Sequence, residues 1–164
     1  MNDFQQDTQG SRYLNFSLGT EDYAIPLLTV KEVIALPEIT PIPFTPAYFL
    51  GIMNLRGQVI SVIDLRQKFG VKVSQNTSTE NAVIIIDLGT FCMGVVVDSI
   101  NSVLSPKASD ISDKPEIQSN KSTEYITNVF RNGKKLVLLI DITKTLSVED
   151  HAAVAKAGAA KKAA

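Results

Sequence analysis

The sequence predicts a mainly β protein built as two similar small barrels packed together, with a few short helices and a helix near the C-terminal end. Three observations lead there. Unbroken β-branched runs such as AVIIIDL (82–88) imply strands buried on both faces. Elsewhere apolar and polar residues alternate, as a half-buried strand requires. The chain also repeats itself: LGTEDYAIPLLTVKEVI (18–34) aligns without a gap on LGTFCMGVVVDSINSVL (88–104). Two copies are too few for a solenoid and suggest a pair of subdomains, about 12–72 and about 80–150. The 164 residues, 45% of them hydrophobic, can build a core of that size.

YLNFSL (13–18) alternates Leu14, Phe16 and Leu18 with Asn15 and Ser17, the pattern of a half-buried strand, and Gly19 turns it into YAIPL. Val30, Val33 and Ile34 recur as Ile100, Val103 and Leu104, a spacing that suits a short helical turn in each copy. PAYFLG opens with Pro46 at a first helical position, and DLRQKFG carries Asp64 as N-cap and Gly70 as stop. A second repeat places IMNLRGQVISVIDL (52–65) over ITNVFRNGKKLVLLIDI (126–142), with Asn54 over Asn128, Asp64 over Asp141 and a longer turn in the second copy. VSQNTSTEN (73–81) reads as a linker and 107–124 as a long loop. Residues 1–11 read as a flexible start, and a helix after Asp141 runs into an Ala/Lys-rich tail over 151–164, helical or disordered.

Composition and motifs argue against chemistry. A formal net charge of -1 gives no electrostatic case for nucleic acid. The single Cys92 excludes an internal disulfide, and no metal-ligand spacing occurs, so no metal or cofactor is expected. The polar N-terminus has no signal-like apolar core and no run reaches membrane-spanning length; the protein is read as cytoplasmic. His151, the one histidine, falls in the tail. Cys92 lacks an activating neighbour. Asp64, Asp87, Asp98 and Asp141 invite a two-carboxylate reading, but Asp98-Ser99 is followed by Ile100 where a protease turn needs Gly, and Asp64 and Asp141 fit helix caps. No G-x-G-x-x-G, Walker A or G-x-S-x-G motif is present. Binding is expected and catalysis is not.

Where two copies share a core, the positions that differ carry the specificity. Lys31-Glu32 become Asn101-Ser102, and Arg56-Gly57 differs as well, since the second copy has FRNG across a longer turn. An arginine at a hairpin tip suits an interface, since its fork donates several hydrogen bonds; a solvated turn cation is the plain alternative. Val30, Glu32, Val33, Gly94 and Val103 would line a groove between the barrels that could receive an amphipathic helix, with core packing as the alternative for the valines.

PAYFLGIMNLRGQVISVIDLRQKFG (46–70) resembles the CheW domain of bacterial chemotaxis coupling proteins, through a Gly, an apolar stretch, N-L-R-G and V-x-D-L-R. YAIPLLTVKEVI, MGVVVDSINSVL and STEYITNV resemble flanking family blocks in the same order, over about residues 12–150. The resemblance implies two five-stranded SH3-like β-barrels, no enzymatic activity and no cofactor. It implies an adaptor that joins the cytoplasmic tip of methyl-accepting chemoreceptors to the regulatory domain of the histidine kinase CheA, recruited to receptor arrays and forming rings with other copies. Carried over by position, Arg56, Val30, Glu32, Val33, Gly51, Gly57, Val83, Gly94 and Val103 would serve receptor binding, and Ile39, Ile42 and Phe44 would face the kinase. Asn128 departs from a common family Gly. Alternatives are a scaffold in another CheA-like pathway such as surface motility, the N-terminal half of a CheV-type protein, or, in another class, a β-barrel hydrolase.

Overall fold

A computed structural model describes residues 12–71, 81–89, 91–113 and 125–145. Among these residues eleven strands and two one-turn helices follow one another as β1 (Tyr13–Leu18), β2 (Glu21–Pro26), β3 (Val30–Ala35), β4 (Phe49–Leu55), β5 (Gln58–Asp64), α1 (Leu65–Lys68), β6 (Ala82–Asp87), β7 (Cys92–Val97), β8 (Ser99–Leu104), β9 (Ile111–Asp113), β10 (Ile126–Asn132), β11 (Lys135–Ile140) and α2 (Ile142–Thr145). They make a six-stranded sheet, β8-β1-β2-β11-β10-β9, and a five-stranded sheet, β3-β6-β7-β5-β4. The mainly β fold with two similar subdomains is as the sequence predicts.

The duplication is visible in the register. In one sheet Tyr23 lies opposite Leu138 and Phe16; in the other, Met93 lies opposite Ser61 and Ile86. Replacing each strand by its repeat mate turns one strand order into the other, with the short β9 answered by Thr40, which bridges to Ile52 on β4. The sheets do not divide the chain in two, however. The β1–β2 hairpin is completed by β8 and β11, and β6–β7 by β3 and β5, so the expected boundary between 72 and 80 is not the boundary between the subdomains. The two copies have exchanged hairpins.

Three apolar clusters follow from strand alternation. Phe16, Leu18, Ile25, Ile63, Ile84, Ile86 and Val95 belong to one cluster drawn from both sheets. Val83, Ile85, Val62, Met53, Ile60 and Val96 fill the inside of the five-stranded sheet, and Ala24, Phe130, Val137 and Leu139 that of the six-stranded one. β6 is apolar at successive positions because Ile84 and Ile86 feed the first cluster while Val83 and Ile85 feed the second. Each such side chain contributes about 1.5–3 kcal/mol. Phe69, after α1, stacks on Tyr125 at 4.4 Å and meets Tyr23 at 5.5 Å, adding an aromatic row between the copies.

Several local expectations change. Val30–Ala35 and Ser99–Leu104 are strands, not helical turns; a 3-10 turn, Leu27–Thr29, precedes the first, and β-branched residues with no cap cannot hold an isolated helical turn. Pro46 opens a turn, closed by Phe49 N–H donating to its carbonyl at 2.9 Å, and then a strand. Asn15 is buried on the face away from Phe16, the place Ile85 holds in the other copy, and its Oδ1 has no partner among the described residues. The β4–β5 and β10–β11 turns are equally long, since Leu55 pairs with Gln58 and Asn132 with Lys135. Asn128 therefore matches Gly51, not Asn54, and both sit at a β-bulge. The segment 107–124 contains a 3-10 turn, Ala108–Asp110, and β9.

The capping expectations hold. Asp64 accepts a hydrogen bond from Arg66 N–H, Asp141 accepts one from Thr143 N–H, and Gly70 follows α1 at φ 69°. The expected start at 1–11, the linker at 73–80, the rest of the long loop and the tail with His151 lie outside the described residues. Among the described residues no helix is long and apolar enough to cross a membrane.

Candidate functional site

The site begins with a two-residue turn. Arg56 and Gly57 both have positive φ, 51° and 87°, which matches the twist of a tight hairpin. Gly57 adopts this freely; Arg56 does so at a cost of about 1 kcal/mol. Asn54 Oδ1 accepts a 2.9 Å hydrogen bond from Gly57 N–H and closes the turn. The chain thus spends local strain to put a long cation at the tip.

That cation is not bare. Arg56 Nη1 donates to Glu32 Oε1 at 2.9 Å and Nη2 to Oε2 at 2.8 Å, a two-pronged pair. Glu32 lies on β3 and Arg56 follows β4, the opposite edges of one sheet, so the pair spans a sheet that curls back on itself. A second link joins the segment after β3 to β4: Thr40 and Ile52 exchange N–H···O hydrogen bonds of 2.8 and 2.9 Å. Gly51 makes that approach possible, because a Cβ there would stand 2.0 Å from the Thr40 carbonyl oxygen. Arg56 is 73% exposed at its side chain, so the ion pair adds about 0–1 kcal/mol to stability and leaves the guanidinium's other donors facing solvent. Beside the hairpin, Pro37, Glu38, Thr40, Ile52, Met53, Asn54 and Val59 line an open cleft of about 410 Å³.

A second charged group holds the fold behind this face. Arg66 donates from Nε and Nη2 to Asp64, each at 3.0 Å, and from Nη1 to Asp98 at 2.8 Å. Asp98 also accepts from Gly19 N–H in the β1–β2 turn, so one arginine joins both sheets. Hydrogen bonding to Asp64 raises the Arg66 pKa, against burial, which lowers it. The carboxylates that could have suggested a catalytic dyad are thus neutralised by a fixed cation. Asp87 caps its own turn through Gly89 N–H, and Asp141 caps α2. Among the described residues no cluster of His, Cys, Asp or Glu could hold a metal.

Residues 12–150 match the CheW-like domain family. The chain belongs to that family. It is 39% identical to a chemotaxis protein CheW of Klebsiella aerogenes over 90% of this chain and 89% of the relative. A CheW of Treponema pallidum is 30% identical over 84% of this chain and 82% of its own length. The crystal structure of the scaffolding protein TtCheW from Thermoanaerobacter tengcongensis superposes with a TM-score of 0.77 at 28% identity, covering 86% of this chain and 95% of that one. As a CheW-like domain the chain is a non-enzymatic adaptor of chemotaxis signalling.

The CheW-like fold sorts the residues singled out in the sequence. Arg56, Gly57 and Glu32 come together at the hairpin tip, and Val33 is exposed on β3 beside Glu32. Val30 is half-buried against the main core. Gly51, Val83 and Gly94 are buried, and Gly94 leaves room for its neighbour, since a Cβ there would lie 2.7 Å from Val83 Cγ1. Val103 is exposed on β8, in the other sheet. Ile39 and Ile42 are half-buried against the cores, whereas Phe44, turned outward at φ 63° next to a turn in which Thr45 Oγ1 donates to the Ile42 carbonyl, is fully exposed.

The sequence reading missed Glu32 as the partner of Arg56 and Arg66 as the link between sheets. Twenty-four positions separate the first pair, beyond any local rule. For the second, the signal was present, since two aspartates and one arginine interrupt otherwise apolar segments.

Proposed function

We propose that this CheW-like domain couples methyl-accepting chemoreceptors to the regulatory domain of the histidine kinase CheA. The observation that supports it is the Arg56–Glu32 pair at a strained hairpin tip beside an open cleft. The receptor's helical tip docks there, against Arg56, Gly57, Glu32 and Val33, with Val30 half-buried at the same strand. Gly51, Val83 and Gly94 shape the face from below, and Val103 extends it from the other sheet. The segment carrying Ile39, Ile42 and Phe44 faces the kinase, with Phe44 as the exposed anchor. The protein is recruited from the cytoplasm to receptor arrays, where further copies join it in rings.

Titrating the protein with a receptor cytoplasmic fragment and, separately, with the kinase regulatory domain tests this reading. Arg56→Ala is expected to weaken the receptor by about thirtyfold, the equivalent of about 2 kcal/mol, and leave the kinase unchanged. Receptor binding that is indifferent to Arg56→Ala would remove Arg56 from the docking face.

A further inference from the structure

The hairpin equivalent to the Arg56 turn is β10–β11, whose turn residues are Gly133 and Lys134. Gly133, at φ 65°, takes the place of Arg56, and Ser102 takes that of Glu32, so the ion pair is absent from this copy. In its stead Arg131, Lys134 and Lys135 crowd the tip, all exposed, and none forms an ion pair with a described carboxylate. Arg131 pairs in register with Leu136, so the two share the outer face, opposite that of the buried Phe130–Val137 pair. Leu136 is 60% exposed, where its counterpart Val59 is 37% exposed. Arg131 on the leucine's own face, Lys134 in the turn and Lys135 on the opposite face of the hairpin form a local positive field at the tip, and no described carboxylate pairs with any of them.

We infer that the β10–β11 tip is a second docking surface, separate from the Arg56 face, for an acidic protein segment that carries an apolar side chain. Its apolar group covers Leu136, and its carboxylates pair with Arg131 on that face and with Lys134 and Lys135 around the tip. The two tips then differ in kind: the Arg56 tip is locally neutral, and the β10–β11 tip is cationic and attracts its partner through a field that salt screens over about 10 Å at 0.1 M.

The test uses isotope-labelled full-length protein and an oligo-glutamate peptide with one internal leucine, followed by NMR. Amide shifts are expected at 131–136 and not at 54–59, with about tenfold weaker binding in Lys134→Glu/Lys135→Glu and at raised salt. No shift at 131–136, or equal shifts around the exposed Lys31, Lys107 and Lys144, would overturn the inference. Receptor and kinase titrations of the same double variant report separately: loss of the coupler reading would leave the peptide result standing, and the reverse also holds.

Discussion

The hairpins β4–β5 and β10–β11 have the same turn length, the same bulge near the start of their first strand and corresponding places in their sheets. They differ in what fills those places. The first has Gly51 at the bulge, a closing Thr40–Ile52 link and an arginine held by Glu32; the second has Asn128 at the bulge and a cationic tip. Duplication supplied two equivalent frames, and substitution at a few exposed or tightly packed positions made their surfaces unlike. The lesson is that the repeat explains the fold and the departures from the repeat explain the function.

Breaking the bulge should expose the largest difference. Gly51→Ala puts a Cβ against the Thr40 carbonyl at a positive φ that only glycine holds easily, and is expected to cost about 3 kcal/mol or more. Asn128→Ala, at the matching site, should change stability by less than about 1 kcal/mol, because among the described residues its amide makes a single 3.5 Å contact, to the Ser112 carbonyl. Urea denaturation of both variants checks the pair, and equal losses would mean that the two bulges are under the same constraint.

The next contrast lies just after the hairpins. Arg66→Met leaves Asp64, 2% exposed, without its cation and is expected to destabilise by about 3 kcal/mol. Its repeat mate Thr143 donates from its N–H and its hydroxyl to the half-buried Asp141, the cap of α2, so Thr143→Ala, which removes only the hydroxyl bond, should cost about 1 kcal/mol or less. Thermal unfolding separates the two.

The smaller effects are titrations and surface changes. Burial first, and then the hydrogen bond to Glu21, raise the Tyr23 pKa; burial likewise raises that of Tyr125. A phenol that holds its proton more tightly when folded contributes stability fully present below the unfolded value of about 10 and lost as pH rises past it. Melting temperature should therefore fall at alkaline pH, and Tyr23→Phe should flatten part of the fall. Smallest of all, Glu32→Ala is expected to cost less than about 1 kcal/mol of stability, since the Arg56 side chain is largely in solvent, while freeing that arginine. If Glu32→Ala and Arg56→Ala reduce receptor affinity equally, the pair docks as a unit; if only Arg56→Ala does, Glu32 serves to hold the arginine.

Much of the fold was legible because strand alternation, caps and turns are local. β6, the Asp64 and Asp141 caps and the Arg56-Gly57 hairpin could all be read from a few neighbouring residues. Val30–Ile34 misled because an i, i+3, i+4 spacing over so few residues fits a strand as well as a helix, and the sheet decided between them. The second repeat was misaligned because Asn54 and Asn128 match by letter, while the bulge that fixes the register pairs Asn128 with Gly51. Of the site, Arg56 was legible as a cation on a turn. Its tie to Glu32, the burial of Gly94 against Val83 and the orphaned oxygen of Asn15 depend on strands that meet only after folding.

The exchanged hairpins also set an order of events during synthesis. Ala24 lies beside Leu139, so β1 and β2 leave the ribosome long before the strands that complete their sheet exist. Pairings so distant in sequence close slowly. Until β8 and β11 emerge, the apolar sides of Phe16, Leu18 and Ile25 have only part of their eventual cover, and a nascent chain halted there presents sticky surface and an open strand edge to its neighbours.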